Sequence, residues 1–301
     1  MKLIGKTNFD FVGSRHSFLI FSGVLMLLSV VAFIARKGPN LGIDFTGGVV
    51  IQVKFEKMPD LAAVRNIFLE EKIQNVELQS IPAANSIIIR MKGNTEETFK
   101  ISERVNEMFN KRQLVHTIER NEYVGPRIGK YLATRALYAI ILSWLGIIVY
   151  VAFRFRSTIW GMSGVIALVH DTWITFGLFL LLNYEIDLTV VAAFLTLIGY
   201  SINDTIVVFD RIRENLKLMR KDPLNKIMNI SINQTLSRTI ITSLTVEIVA
   251  LFLFIFGGPI IHNFALGMTF GTIIGTYSSV FIASPIVYDW TMSREARRHS
   301  K

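Results

Sequence analysis

The 301-residue sequence predicts an α-helical multi-pass membrane protein, with six transmembrane helices and one small α+β domain inserted after the first. Three observations predict it. Hydrophobic residues make up 51% of the chain and charged residues only 18%, too few charges for an ordinary soluble protein of this length. Apolar runs long enough to cross a bilayer as helices recur along it. One block, residues 36–130, instead carries balanced charge and short periodic elements. The net charge of +9 could suggest nucleic acid. Lys and Arg gathered on cytoplasmic loops account for it more simply, so the expected environment is a lipid bilayer and no nucleic acid. The absence of cysteine excludes disulfides and thiol chemistry, and five scattered histidines show no metal-ligand spacing, so neither a metal nor another cofactor is expected.

Residues 1–16 are polar and mildly basic, and residues 17–35 form an uncharged run read as a retained first span. Beyond it, residues 43–55 alternate (Val49, Ile51, Val53, Phe55) and predict a strand. Asp60 after Pro59 caps a helix running to about Lys72. Residues 76–81 and 86–91 read as strands joined by a Pro-Ala-Ala-Asn turn. A second helix reaches about Arg112, with Asn94 and Glu97 spaced as a capping box, and a strand over 114–124 closes the block. The order β-α-β-β-α-β is the ferredoxin-like arrangement.

Spans resume at 131–153 and 159–182, joined by a turn holding Arg154 and Arg156. An acidic hairpin with Glu185 and Asp187 leads to a fourth span at 190–209. The loop 210–237 carries six Lys or Arg, and its apolar spacing predicts two short helices lying on the membrane surface. The fifth span is 238–256, an uncharged turn covers 257–263, the sixth span is 264–288, and 289–301 is a basic tail. Basic residues collect at both termini and in the 154–156 and 210–237 loops. That places both termini in the cytoplasm and residues 36–130 outside, against the local exception of Arg36 and Lys37.

Several residues at membrane depth could carry chemistry. Helical rise puts Asp204 roughly 10 Å, Glu247 about 13 Å and Asp171 about 16 Å from the basic ends of their spans. Low dielectric favours the neutral form of a carboxyl group, so such an acid can take up and release protons. Asp204 therefore either handles a proton, with Arg238 as counter-charge, or hydrogen-bonds a neighbouring helix beside Ser201, Asn203 and Thr205. The residues leave both open. His170 and Asp171 point about 100° apart and are not expected to face one partner; a helix–helix hydrogen bond is the expected role for at least one. Glu247 is isolated and expects protonation or pairing within the bundle. Gly267, Gly271 and Gly275 repeat every four residues and predict a close helix seam rather than a hinge. No Walker lysine follows Gly42, Gly47 and Gly48, and no Ser/His/Asp set can be placed, so no enzyme activity is expected.

Specific stretches carry a family resemblance. They are GIDFTGG at 42–48, with Gly42, Asp44, Phe45, Gly47 and Gly48; VGP at 124–126; VHD at 169–171; and GYSINDTIVVFDRIREN at 199–215. The last contains Gly199, Ser201, Asn203, Asp204, Asp210, Arg211 and Arg213. Arg238-Thr239, Ser243-Leu244-Thr245 and Phe256-Gly257-Gly258 extend the match. Over nearly its whole length the chain resembles the SecD/SecF family of bacterial protein export, within the resistance-nodulation-division (RND) superfamily. The resemblance implies an RND-type half bundle in the inner membrane, completed by the six spans of SecD. It implies a proton-coupled accessory to the SecYEG translocon, working after the SecA motor, with YajC or YidC as further partners and preprotein as the moving chain. By motif position Asp204 would be the proton-handling acid and Arg238 its modulator, while the external domain would move or touch the emerging chain. Glu247 stands where the family is expected to have an apolar residue or Thr. It would be an addition to the proton path or a contact with SecD, as Asp171 would be a second acid on the path.

Two other functions compete. An RND-type exporter of small molecules or lipids predicts a large external domain and usually two repeats, whereas this chain has about 95 external residues and one repeat. A non-transporting scaffold of the translocon predicts that the Asp204 carboxylate is dispensable.

Overall fold

The computed structural model describes residues 7–73, 76–92 and 100–299 and divides into two compact units, residues 1–40 with 138–301 and residues 41–137. The smaller unit begins at Leu41, after α1 (Arg15–Ala35) of the larger unit has ended. Its elements are a single helical turn α2 (Ile43–Thr46), β1 (Gly48–Phe55), α3 (Leu61–Glu70), β2 (Val76–Ile81), β3 (Ser86–Lys92), α4 (Ile101–Lys111) and β4 (His116–Val124). The strands pair antiparallel in the order β2-β3-β1-β4, which is the sheet expected of the β-α-β-β-α-β order.

Alternation along β1 explains the layering. Val49, Ile51, Val53 and Phe55 face a core with Ile87, Ile89, Val64, Phe68, Val105 and Phe109, while Val50 packs with Ile88 and Ile43 on the other face. Helix α4 contributes Ile101, Val105, Met108 and Phe109, the i, i+4, i+7, i+8 stripe of a helix with one buried face. Asp60 caps α3 by accepting from Ala62 N at 3.3 Å. The strand expected from residue 43 starts instead at Gly48, because residues 43–46 coil into α2 and the chain reverses at Gly47 (φ +75). A Cβ on Gly48 (φ +143) would lie 2.2 Å from the Met91 carbonyl oxygen, so only glycine fits where β1 meets β3. The expected capping pair Asn94 and Glu97 lies outside the described residues.

Among the described residues six helices are long and apolar enough to span a membrane, and they build the larger unit except for residues 126–137 of the second, which fall in the smaller unit. They are α1, α5 (Pro126–Phe155), α6 (Thr158–Leu182), α7 (Leu188–Leu218), α8 (Leu224–Phe256), and α9 (Gly258–Ser278), which continues through a π-helical turn (Ser279–Ala283) into α10 (Ser284–His299). Its core gathers Leu168, Ile198, Ile202, Val208, Phe209, Ile232, Val280 and Val287. Helices α6, α7 and α9 are packed on most sides, whereas α5 and α8 present apolar side chains such as Leu142, Val149, Phe252 and Ile255 outward.

Three expectations about connections are corrected. The two surface helices of loop 210–237 do not exist as separate elements: α7 runs on to Leu218 and α8 starts at Leu224, leaving only residues 219–223 between them. With 31 and 33 residues these helices are about 46 and 50 Å long, several turns more than a bilayer core of about 30 Å. The apolar stripe read as membrane-seeking packs inward instead, with Ile212 and Met228 fully buried. The uncharged turn 257–263 shrinks to Gly257, since α9 begins at Gly258. The sixth helix does not stop near Tyr288. It passes through the π-helical turn, where Pro285 lacks an amide donor, and continues to His299.

Candidate functional site

Two polar networks form at membrane depth, both built on α7 and both closed by α9. The glycine stripe sets the approach. A Cβ on Gly271 would lie 2.6 Å from Leu197 Cδ2, and one on Gly275 would lie 3.0 Å from Ser201 Cβ; Gly267 faces Ala193 and Phe179. Absence of side chains at these three positions lets α9 lie directly on α7. Hydroxyl groups on the same helix then reach the acids.

The first network centres on Asp171 of α6, which is 1% exposed. Ser201 Oγ of α7 and Ser278 Oγ of α9 donate to its Oδ2 at 2.6 and 2.7 Å, and His170 Nδ1 lies 2.9 Å from its Oδ1. The expected helix–helix hydrogen bond is thus made by Asp171, and His170 bonds to Asp171 itself. The ring also stacks on Tyr277, whose hydroxyl donates to the Phe18 carbonyl of α1. One carboxylate therefore ties α6, α7 and α9, and through its histidine neighbour reaches toward α1.

The second network centres on Asp204, one turn further along α7 and 3% exposed. Its single side-chain hydrogen bond among the described residues is from Ser243 Oγ of α8, at 3.2 Å. Thr276 Oγ1 donates to Ser243 Oγ at 2.6 Å, and Thr272, one turn earlier on α9, donates to the Glu247 carboxylate. Asp204 and Glu247 accordingly bracket a ladder of hydroxyls, Ser243, Thr276 and Thr272, along the α8–α9 contact. The Tyr200 side chain sits among the same groups. Arg238, read as a counter-charge to Asp204, is exposed and forms no salt bridge with it among the described residues.

The remaining motif residues separate into structural positions. Asp210 pairs with Arg154 at 2.9 Å, Arg211 bridges Glu214 and Gln234 at 2.6 Å each, and Arg213 donates to the Arg154 carbonyl at 3.2 Å. Asn215 donates to Ser231 and Gln234. These contacts bolt the extension of α7 to α5 and α8. Gly199 and Asn203 face outward with Thr196 on one stripe of α7. Of the first motif, Gly42, Gly47 and Gly48 shape the turn into β1, with Asp44 and Phe45 on α2. A Cβ on Gly129 would lie 2.8 Å from the Phe45 carbonyl oxygen, so the start of α5 packs on that turn. The signal missed in the sequence was the run of Ser and Thr inside the sixth span (Thr272, Thr276, Ser278, Ser279), at helical spacing beside the glycines. Among the described residues no cluster of His, Asp or Glu could hold a metal ion.

A family model, "Protein export membrane protein SecD/SecF, C-terminal", matches residues 104–293, and one for the "SecD/SecF GG Motif" matches residues 32–57. The chain belongs to the SecD/SecF family. "Protein translocase subunit SecF" of Endomicrobium trichonymphae is 44% identical over 299 residues, covering 99% of this chain and 96% of its own length. The subunit of the same name from Calditerrivibrio nitroreducens is 46% identical over 290 residues, 94% of each. The crystal structure of SecDF from Thermus thermophilus, described as a translocon-associated membrane protein, superposes with TM-score 0.85 at 35% identity over 95% of this chain. The chain spans only 39% of that SecDF chain, so the match is to one part of a longer protein. The relatives and the six apolar helices together make this a multi-pass membrane protein with an RND-type bundle and an inserted ferredoxin-like domain.

Proposed function

We propose that this chain is the SecF subunit of a Sec protein translocase, coupling proton movement to late steps of preprotein translocation. The observation that carries the proposal is the setting of Asp204: a carboxylate at membrane depth with, among the described residues, one hydroxyl donor and no salt-bridge partner. An ionised carboxylate there is costly in lipid, so the group gains from exchanging a proton, and the hydroxyls of Ser243, Thr276 and Thr272 offer a route toward Glu247. Protons are the coupling ion, and the chain hydrolyses no nucleotide of its own. The distribution of Lys and Arg puts both termini in the cytoplasm of a bacterial cell and the ferredoxin-like domain beyond the inner membrane.

A half bundle needs a second half. Thr196, Gly199 and Asn203 on α7 and Arg238 and Thr245 on α8 are exposed in the single chain at or near membrane depth, where polar groups require cover. SecD is the partner that the family supplies, and SecYEG, SecA and YajC or YidC are the wider assembly in which the pair would work. Asp204→Asn, co-expressed with SecD, keeps the size and hydrogen bonding but cannot exchange a proton. Release of a secreted protein from membrane vesicles is expected to lose its gradient-dependent component while the complex still assembles. Unchanged release would favour a scaffold instead.

A further inference from the structure

The polar and aromatic groups at the turn between α5 and α6 are not used by either network. Tyr150, Phe153, Arg154, Arg156 and Arg213 line a cavity of about 690 Å³ there. We propose that this cavity binds the phosphate headgroup of an anionic phospholipid. Charge is the first argument. Asp210 balances Arg154 at 2.9 Å, but Arg156 and Arg213 form no ion pair among the described residues, so two guanidinium charges face one space. Arg213 is oriented by its hydrogen bond to the Arg154 carbonyl, and Arg156 (φ +51) sits on the left-handed residue that reverses the chain. The Arg213 fork is therefore held in place, and guanidinium forks match phosphate oxygens in pairs.

Position is the second argument. Arg154 lies in the last turn of α5, where an apolar span gives way to charge, and Phe153 and Tyr150 on the same turn are 85% and 54% exposed. Aromatic side chains at that level meet the upper acyl chain while the arginines meet the headgroup. A free phosphate would gain nothing from Phe153, so the structure assigns the site to a lipid. This inference rests on the membrane reading and not on translocase activity.

Native mass spectrometry of the full-length chain in detergent tests it, with phosphatidylglycerol, phosphatidylcholine of the same acyl chains, and glycerol-1-phosphate as probes. The chain should retain phosphatidylglycerol in preference to phosphatidylcholine. Arg156→Gln with Arg213→Gln should bind phosphatidylglycerol roughly tenfold or more weakly, since each basic group near a membrane surface contributes on the order of 1 kcal/mol. A charge-matched control, Lys217→Gln with Lys221→Gln, should bind like the parent. Phe153→Ser should weaken lipid retention with all the arginines in place, which covers the case of a double variant that does not fold. Equal retention of the two lipids, or equal loss in the lysine control, would overturn the site in favour of diffuse surface charge. Displacement of the lipid by equimolar glycerol-1-phosphate would overturn the lipid assignment in favour of a soluble phosphate.

Discussion

Asp171 and Asp204 lie on adjacent helices of one bundle, are nearly equally buried, and differ in how many groups serve them. Asp171 takes two serine hydroxyls and an imidazole, so every helix around it is tied to its charge or its proton. Asp204 takes one serine hydroxyl, and the only cation assigned to it stands off. A saturated carboxylate holds helices in place and resists change. An under-served one can change its protonation without dismantling its surroundings. Depth in the membrane does not distinguish these roles; the count of donors does.

Variants break or sharpen this contrast in descending order of effect. Asp171→Ala leaves Ser201, Ser278 and His170 without their shared partner, and each buried polar group left unsatisfied costs about 1–3 kcal/mol. The purified chain should show a large drop in unfolding temperature, or no folded protein at all. Asp204→Ala should be far milder on the same assay. Gly271→Leu drives a side chain into Leu197, and overpacking of this kind costs about 1–3 kcal/mol. It should lower the unfolding temperature and loosen the α7–α9 contact, read as faster hydrogen exchange in both helices. Ser243→Ala removes the one donor to Asp204, worth about 1 kcal/mol. It should leave the fold standing while shifting the pH profile of gradient-dependent release.

The smallest effect is expected outside the membrane, where Asp10 organises the N-terminal segment. Its carboxylate accepts from Gly13 N at 2.8 Å and Asn229 Nδ2 at 2.6 Å, and these bonds hold its pKa below the usual 3.8. The sign follows from that direction. The contribution is fully present above the unfolded value and is lost only as pH falls through the lower folded value. Protection of residues 9–14 against proteolysis should therefore stay constant from neutral pH down to about 4 and weaken only below it. Loss of protection near pH 6 would contradict this.

Much of the fold was legible in the sequence because each element announced itself locally. The alternation Val49-Ile51-Val53-Phe55 marked β1, and apolar runs marked the six membrane helices. What failed were junctions. The stripes Ile212, Leu216, Met219 and Leu224, Ile227, Met228 have the spacing of surface helices whether they face lipid or a neighbouring helix, and only the tertiary partner decides. Asp204, Asp171 and the glycine stripe could be singled out from residue type and spacing alone. The distinction between the two acids could not, because it rests on Ser201, Ser243, Thr276 and Ser278, common residues whose meaning comes from which helix they face. Arg238, read as a counter-charge, is exposed and forms no salt bridge with Asp204 among the described residues, a separation that span boundaries alone do not give.

The central claim, that Asp204 exchanges protons while Asp171 does not, is open to infrared difference spectroscopy. The full chain with SecD would be compared between alkaline and acidic medium, in a Glu247→Gln background to silence the third acid. A protonated-carboxyl stretching band should grow on acidification, persist in Asp171→Asn and vanish in Asp204→Asn. A band that survives Asp204→Asn and disappears with Asp171→Asn would reverse the assignment.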